Sequence, residues 1–203
     1  FLPDRFMNAK KIFEENENVD GVYEAIQGCF DSEAAKSRWF TSNATKSLLT
    51  TMKKRFSPEE LYDNLITWKY GYFSLIGLTV KRSIFDKTGF FNEKLIIHQD
   101  TDMCWRMAAV ANLYPGKLKE PVTIRRIHEN NRTSGPRSKK EIYESRKLLL
   151  REYLYWSIKN IGLKRSRVVI KRFIDMEWAA FWKLPIPNSI MKIKHNIFDK
   201  IYF

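Results

Sequence analysis

The chain changes character at the polar stretch NRTSGPRS (131–138), and this change limits the folds that are open to it. Before this stretch, apolar residues come in short groups with both strand-like and helix-like spacing. After it come two helical apolar patterns, 139–160 and 164–182. The sequence therefore predicts a mixed α/β unit over residues 1–136, followed by a mainly helical extension over residues 137–203.

Composition indicates how large the hydrophobic core can be and which cellular compartment suits the chain. The 203 residues are 44% hydrophobic and 14% aromatic, which is enough apolar material for one sizeable core. The longest apolar runs are short and interrupted by charges, so the sequence predicts no membrane-spanning segment. The two cysteines, Cys29 and Cys104, stand far apart and give no zinc-ligand spacing. They are predicted to be free, buried thiols in a reducing compartment.

The positive charge of the chain is concentrated in its last third. The net charge is +13, and residues 137–203 carry 16 Lys and Arg against 6 Asp and Glu, a net charge of +10. Such a region can bind phosphates, nucleic acid or an anionic membrane surface, and it can equally be a solvated helical surface. Nucleic-acid binding is disfavoured, because the basic residues and the ordered motifs lie in different regions and no RNA-binding motif is present.

Helices and strands alternate in the predicted α/β unit. The segment SPEELYDNLITW has a strong helix-start signal, because Ser57 at the N-cap, Pro58 after it and Glu60 form a capping box. Gly77 interrupts an apolar strand, where glycine often marks the close approach of a ligand or another backbone. Helices are predicted over 3–16, 57–68 and 100–111, and strands over 19–26 and 71–83. Residues 27–56 read as irregular, and residues 113–128 as two short extended pieces.

The segment HQDTDMCWRMA (98–108) places two acids where an apolar helix begins. Residues two apart on a helix point to nearly opposite sides, so Asp100 and Asp102 cannot both face one substrate. Asp102 lies four residues before Arg106, which predicts a structural ion pair. The positive end of the helix favours an ionised Asp100, and such a carboxylate can remove a proton from a hydroxyl. The alternative is that Asp100 only caps the helix.

A second group of candidate residues follows the last extended segment. His128 ends this segment and begins a polar loop that contains Arg132 and Ser134. Arginine and small hydroxyl residues suit a phosphate, and the histidine suits a divalent cation that neutralises a diphosphate. The alternative is a structural histidine at a strand end.

Five segments in this order resemble the second half of a family 2 inverting glycosyltransferase with the GT-A fold. HQDTDMCWRMA is similar to the family pattern x-E-D-x-D-x-x-x-R-x-x, and RRIHENNRTS to its closing y-R-x-H-x-x-n-x-S segment. FLPDRF resembles the stretch after the family's metal-binding Asp-x-Asp strand. The other two segments are NENVDGVYEAI and LIGLTVKRSIFDKTGFFNEKL. The resemblance covers residues 1–136 and implies a partial GT-A mixed sheet with flanking helices.

The resemblance implies a role for each candidate residue. Asp100 would be the catalytic base, supported by the structural pair of Asp102 and Arg106. Gln99 stands where the family usually has glutamate, so one negative charge is lost beside the base while hydrogen bonding remains. The backbone at Gly77 and the side chain of Gln99 are expected to contact the substrates. His128 is expected at the metal or the diphosphate. Arg132 and Ser134 are expected at the donor phosphates.

The implied reaction is transfer of a sugar from a nucleotide-diphosphate sugar to an acceptor hydroxyl with inversion, in bacterial surface polysaccharide synthesis. Mg²⁺ or Mn²⁺ is the expected cofactor of the complete enzyme, and the acceptor is expected to be a carbohydrate or a lipid-linked sugar. The family's nucleotide-binding strands should precede Phe1. We therefore expect this chain to be an incomplete portion that does not transfer sugar by itself.

The basic extension, residues 137–203, has two expected roles. Its tryptophan-bearing amphipathic helices suit an anionic membrane surface, which would place a cytoplasmic protein at the inner face of the membrane. Alternatively, its apolar face packs on the preceding domain or on a second subunit of a homo-oligomer. A noncatalytic scaffold or oligomerisation module derived from a transferase remains the main alternative function.

Overall fold

The computed structural model describes residues 1–42, 47–131 and 137–182. These residues form a mixed α/β structure with a long C-terminal helix. The helices are α1 (Met7–Glu15), α2 (Glu33–Ser42), α3 (Pro58–Thr67), α4 (Ile84–Thr88), α5 (Gln99–Val110) and α6 (Lys139–Trp182). The strands are β1 (Gly21–Tyr23), β2 (Ile26–Phe30), β3 (Leu49–Thr50), β4 (Leu78–Val80), β5 (Leu113–Pro115) and β6 (Thr123–Ile127). The predicted class, α/β with a helical C-terminal part, is confirmed at this level.

Two small mixed sheets are joined by one continuous buried segment. β1 lies between antiparallel β4 and parallel β5, and β2 lies between antiparallel β3 and parallel β6. Residues 21–26, which run from β1 into β2, are all buried. The Ala25 N–H donates to the carbonyl of Lys117, and the Ala25 carbonyl accepts from the Val122 N–H. The single strand predicted over 19–26 is therefore divided between β1 and β2. The backbone groups between the two strands are also hydrogen-bonded.

Gly77 permits a close approach between two backbones. It ends a single 3₁₀ turn, Leu75–Gly77, and its carbonyl accepts a hydrogen bond from the Glu24 N–H at 2.9 Å. A Cβ atom at this position would lie 2.5 Å from the Glu24 carbonyl oxygen. The prediction of one strand over 71–83 is therefore wrong, because the chain turns before β4 begins.

Glu24 is a fully buried acid with a complete set of partners. Its Oε2 lies 2.8 Å from Nη1 of Arg5, and its Oε1 accepts from Nδ2 of Asn8 at 2.8 Å and from the Lys117 N–H at 3.2 Å. Burial lowers the pKa of Arg5, and the Glu24 carboxylate opposes this effect. The cluster ties the N-terminal segment to the sheets, because each partner satisfies a group that would otherwise be buried without a hydrogen bond.

Local sequence signals gave mixed results for the helices. The capping box at the start of α3 is confirmed, since Glu60 accepts the Ser57 N–H at 3.3 Å and Pro58 is the first helical residue. The prediction that residues 27–56 are irregular is wrong, because they contain β2, α2 and β3. Cys104 is buried, but Cys29 is exposed on β2, which corrects the expectation that both thiols are buried.

Helix α5 is buried on almost every side and contains an ion pair. Residues 102–109 are all buried, so this part of the helix is covered on every side. Nη2 of Arg106 lies 2.8 Å from Oδ2 of Asp102, as the spacing predicted. Nη1 of Arg106 donates to the carbonyls of Thr88 and Phe90, both at 3.4 Å. The pair therefore connects α5 to the end of α4 and the loop after it.

Burial changes the ionisation of this pair. Asp102 is fully buried, and burial raises its pKa to about 6, although the attraction of Arg106 acts in the opposite direction. The loss of solvation of the carboxylate thus outweighs its attraction to the guanidinium.

Helix α6 covers α3 and α5. It bends at Gly162, which has φ 76° and ψ 166°, so the two helices predicted on either side of this glycine are confirmed. The Tyr153 hydroxyl donates to the Trp105 carbonyl at 3.1 Å, and Arg165 donates to the Ala109 carbonyl at 2.9 Å. Leu149, Leu150, Tyr153 and Val169 belong to the same hydrophobic core as α3 and α5. The division of the chain into two domains at residue 136 stays a prediction.

Membrane crossing was searched among the helices of the described residues. None of them combines the length and the apolar character that a bilayer span requires.

We predict that Gly77→Ala destabilises the fold by about 1 to 3 kcal/mol, because the new methyl group overlaps a backbone oxygen that cannot rotate away. Chemical denaturation measures the free energy of unfolding. Gly28→Ala is the matched control, because there the new methyl group meets the flexible end of the Ile127 side chain at 2.9 Å. A loss for Gly77→Ala no larger than for the control would contradict the close backbone approach.

We predict that Asp102 makes stability fall as pH rises from about 4 to about 6. A folded-state pKa of about 6, above the ordinary value of 3.8, means that the folded protein binds the proton more tightly than the unfolded chain. The unfolding free energy of the wild type, minus that of Asp102→Asn, should fall by about 2 to 3 kcal/mol between pH 3.5 and pH 7. Denaturation curves across this range measure it, and a difference that rises with pH would show that the ion pair outweighs burial.

Candidate functional site

Asp100 presents an exposed carboxylate in the first turn of α5. The N-cap position is occupied by His98, so Asp100 is not the N-cap residue. Its Oδ1 accepts a hydrogen bond from the Thr101 N–H at 2.8 Å. This contact satisfies one of the free N–H groups at the helix start and fixes the carboxylate at the surface. The side chain is exposed, while residues 102–109 of the same helix are buried behind it.

His98 occupies an unusual position directly before the helix. Its backbone is in the left-handed region with φ 73°, which is uncommon for a residue other than glycine. The side chain is half-buried, and burial lowers its pKa. The negative charge of Asp100 opposes this effect, whereas the positive charges of Arg137, Arg146 and Arg172 add to it. The imidazole is therefore held neutral between one acid and several arginines.

Two predicted residues of the site lie on or near α5 and the sheets. Gln99 is the first residue of α5 and is half-buried next to Asp100. Gly77 is buried, and the neighbour that requires a glycine there is the backbone of Glu24. A substrate contact by either residue stays a prediction.

His128 directly follows β6 and begins a turn that ends at Asn131. Its backbone N–H donates to Oδ1 of Asn131 at 2.6 Å, and its carbonyl accepts from the Asn131 N–H at 3.2 Å. Within residues 1–42, 47–131 and 137–182, no group of three or more His, Cys, Asp or Glu side chains could hold a metal ion. Arg132 and Ser134, the predicted phosphate contacts of this loop, lie outside the described residues.

A cleft between the end of α3, the middle of α5 and α6 is lined by two arginines. We call it the arginine cleft, and its volume is about 280 Å³. It is lined by Trp68, Trp105, Arg146, Leu149, Leu150, Arg172, Asp175 and Met176. The guanidinium carbon of Arg172 lies 4.2 Å from the ring centre of Trp68 and 5.4 Å from that of Trp105. Burial lowers the pKa of Arg172 to about 10, and the nearby charge of Arg146 lowers it as well.

A second cleft, of about 390 Å³, lies between the segment before α5 and the first half of α6. Its charged residues have both signs, with Lys94, Lys147 and Arg151 near Glu144. Asp100 lines neither cleft. The candidate base is therefore an exposed surface group, close to His98 and outside both concavities.

Sequence reasoning missed three features of this region. Arg172 lies on α6 and Trp105 on the buried α5, so their shared cleft depends on how α6 folds back. The position of His98 could not be predicted, because a left-handed backbone at a histidine has no sequence signature. Glu24 was detectable in principle, since an acid within the buried run GVYEAI requires a partner.

Comparisons of this chain with protein-family models, with curated proteins and with solved structures found no match.

Proposed function

We propose that this chain is the acceptor-side portion of an inverting glycosyltransferase of the family 2 type with a GT-A fold. The proposal rests on one observation above all, the exposed carboxylate of Asp100 at the start of an otherwise buried helix. Five motifs in the order of that family support it, as does the mixed arrangement of parallel and antiparallel strands.

In this proposal Asp100 acts as the general base. The carboxylate takes the proton of the acceptor hydroxyl while the hydroxyl oxygen attacks the anomeric carbon of the donor sugar. The bond from that carbon to the diphosphate breaks on the opposite side, so the anomeric configuration inverts. The Thr101 N–H holds one carboxylate oxygen at 2.8 Å, which restricts the orientation of the base before the acceptor arrives.

The residues behind Asp100 act as positioning groups. The buried pair of Asp102 and Arg106 fixes the first turn of α5 against the end of α4, so that Asp100 projects from a rigid support. The neutral His98 adds no competing positive charge next to the base. Gln99 replaces the usual glutamate of the family and so removes one repulsive charge beside Asp100.

The remaining parts of the proposal concern partners. A nucleotide-diphosphate sugar is the donor, and a carbohydrate or lipid-linked sugar is the acceptor. Mg²⁺ or Mn²⁺ belongs to the complete enzyme. Among the described residues, no three His, Cys, Asp or Glu side chains are grouped so that they could hold such an ion. The basic residues of α6 suit an anionic surface at the inner face of the membrane.

We predict that Asp100→Asn in the complete protein lowers kcat by about 10²- to 10⁴-fold, because the amide cannot accept the proton of the hydroxyl. The KM for the donor should change little, because Asp100 is assigned to the acceptor. A coupled assay of nucleoside diphosphate release measures both values.

Asp63→Asn is the matched control, since Asp63 is an exposed aspartate on α3 and the substitution removes the same charge. The control should keep wild-type activity. Unchanged kcat in Asp100→Asn would reject the base and favour a scaffold role for the chain.

A further inference from the structure

We propose that the arginine cleft is a binding site for a phosphate or diphosphate group. This inference goes beyond the proposed function, because it concerns a concave surface that Asp100 does not line.

The charges of the cleft are not neutralised within the described residues. In residues 1–42, 47–131 and 137–182, no carboxylate oxygen lies within 4.0 Å of a guanidinium nitrogen of Arg146 or Arg172. Asp175 also lines the cleft, and its Oδ2 lies 3.1 Å from Nζ of Lys171. Two like charges beside one half-buried cavity repel each other, so an anion between them would lower the free energy of the folded protein.

Two donor atoms of residues that line the cleft lack acceptors among the described residues. Nη1 of Arg172 and Nε1 of Trp105 are both buried, and neither has a hydrogen-bond partner among the described residues. Guanidinium and indole N–H groups can donate but cannot accept. A buried donor without a partner is unfavourable, so an acceptor that reached these atoms would stabilise the site. The ligand that fits is therefore rich in acceptor oxygens and carries negative charge.

Aromatic stacking prepares Arg172 for such a ligand. Its guanidinium carbon lies 4.2 Å from the Trp68 ring centre, and that of Arg146 lies 6.0 Å from the same centre. The attraction between a guanidinium and the face of an aromatic ring holds Arg172 beside the cleft. Guanidinium groups can bind phosphate oxygens with two parallel hydrogen bonds.

The size of the cleft fits a small anion. Its volume of about 280 Å³ equals roughly nine water volumes, which accommodates a phosphate or a diphosphate. Leu149, Leu150 and Met176 form an apolar part of the wall. The cleft therefore offers charge for the phosphate and an apolar surface for whatever group carries it.

Binding of inorganic pyrophosphate to the full chain tests the proposal, measured by calorimetry at about 0.15 M salt, where surface charges are screened. We expect saturable binding to the wild type. Arg172→Gln and Arg146→Gln should each weaken it by about tenfold or more, because each removes a charged hydrogen-bond donor. Arg172→Lys should recover part of the loss, since it restores the charge without the planar edge.

Arg167→Gln is the matched control, because Arg167 is exposed on the same helix and the substitution removes the same charge. It should change the dissociation constant by less than about twofold. Circular dichroism checks that each variant is folded, and Arg146 provides a second test because its exposed side chain is easier to replace. No saturable binding to the wild type, or an equal loss in Arg167→Gln, would overturn the proposal.

Two further ligands identify the source of the phosphate. Tighter binding of farnesyl diphosphate than of pyrophosphate would assign a lipid diphosphate, with the apolar wall contacting the chain. Tighter binding of uridine diphosphate would assign a nucleotide. Both results support the site and depend on the Arg172 and Arg146 variants in the same way. No sugar is transferred in these measurements, so their outcome is independent of the role of Asp100.

Discussion

The buried pair of Asp102 and Arg106 is the interaction on which the rest of this structure depends. It stands inside the first turns of α5, with Asp102 fully buried and the guanidinium also donating to the carbonyls of Thr88 at the end of α4 and Phe90 after it. Because burial raises the pKa of Asp102, the pair is not a simple source of stability. The pair instead restricts the local geometry, because a charged group in the core is stable only in an arrangement that brings its partner close to it. That arrangement holds the start of α5, where Asp100 lies, against the end of α4.

Helix α6 completes the environment of α5. Tyr153 donates to a backbone carbonyl of α5 and packs edge-to-face on Trp105, with ring centres 5.1 Å apart. The same folding back brings Arg146 and Arg172 to the rings of Trp68 and Trp105. The helical extension is thus joined to the α/β part by a shared core, and its basic residues are divided between solvent and an aromatic cleft. The packing of α6 on α5 therefore has two consequences. It buries α5, and it brings together the residues of the proposed anion site.

Local signals predicted the parts of the fold that depend on neighbours in sequence. The capping box at Ser57, the break at Gly162 and the pair of Asp102 and Arg106 follow from spacing along one helix. Features set by distant contacts escaped prediction. The strand expected over 71–83 is interrupted because Gly77 meets the backbone of Glu24, and the arginine cleft needs residues from three helices. For the candidate site, the position of Asp100 was predictable, whereas the surroundings of His98 were not.

The proposed function requires Asp100 to face an acceptor hydroxyl from a rigid helix start. A crystal structure of the protein with acceptor and an unreactive donor bound tests this most directly. We expect an Asp100 carboxylate oxygen within about 2.6 to 3.2 Å of the attacking hydroxyl oxygen, with the pair of Asp102 and Arg106 unchanged behind it. An acceptor bound with its hydroxyl beyond the reach of Asp100, even through one water, would contradict the role of Asp100 as the base.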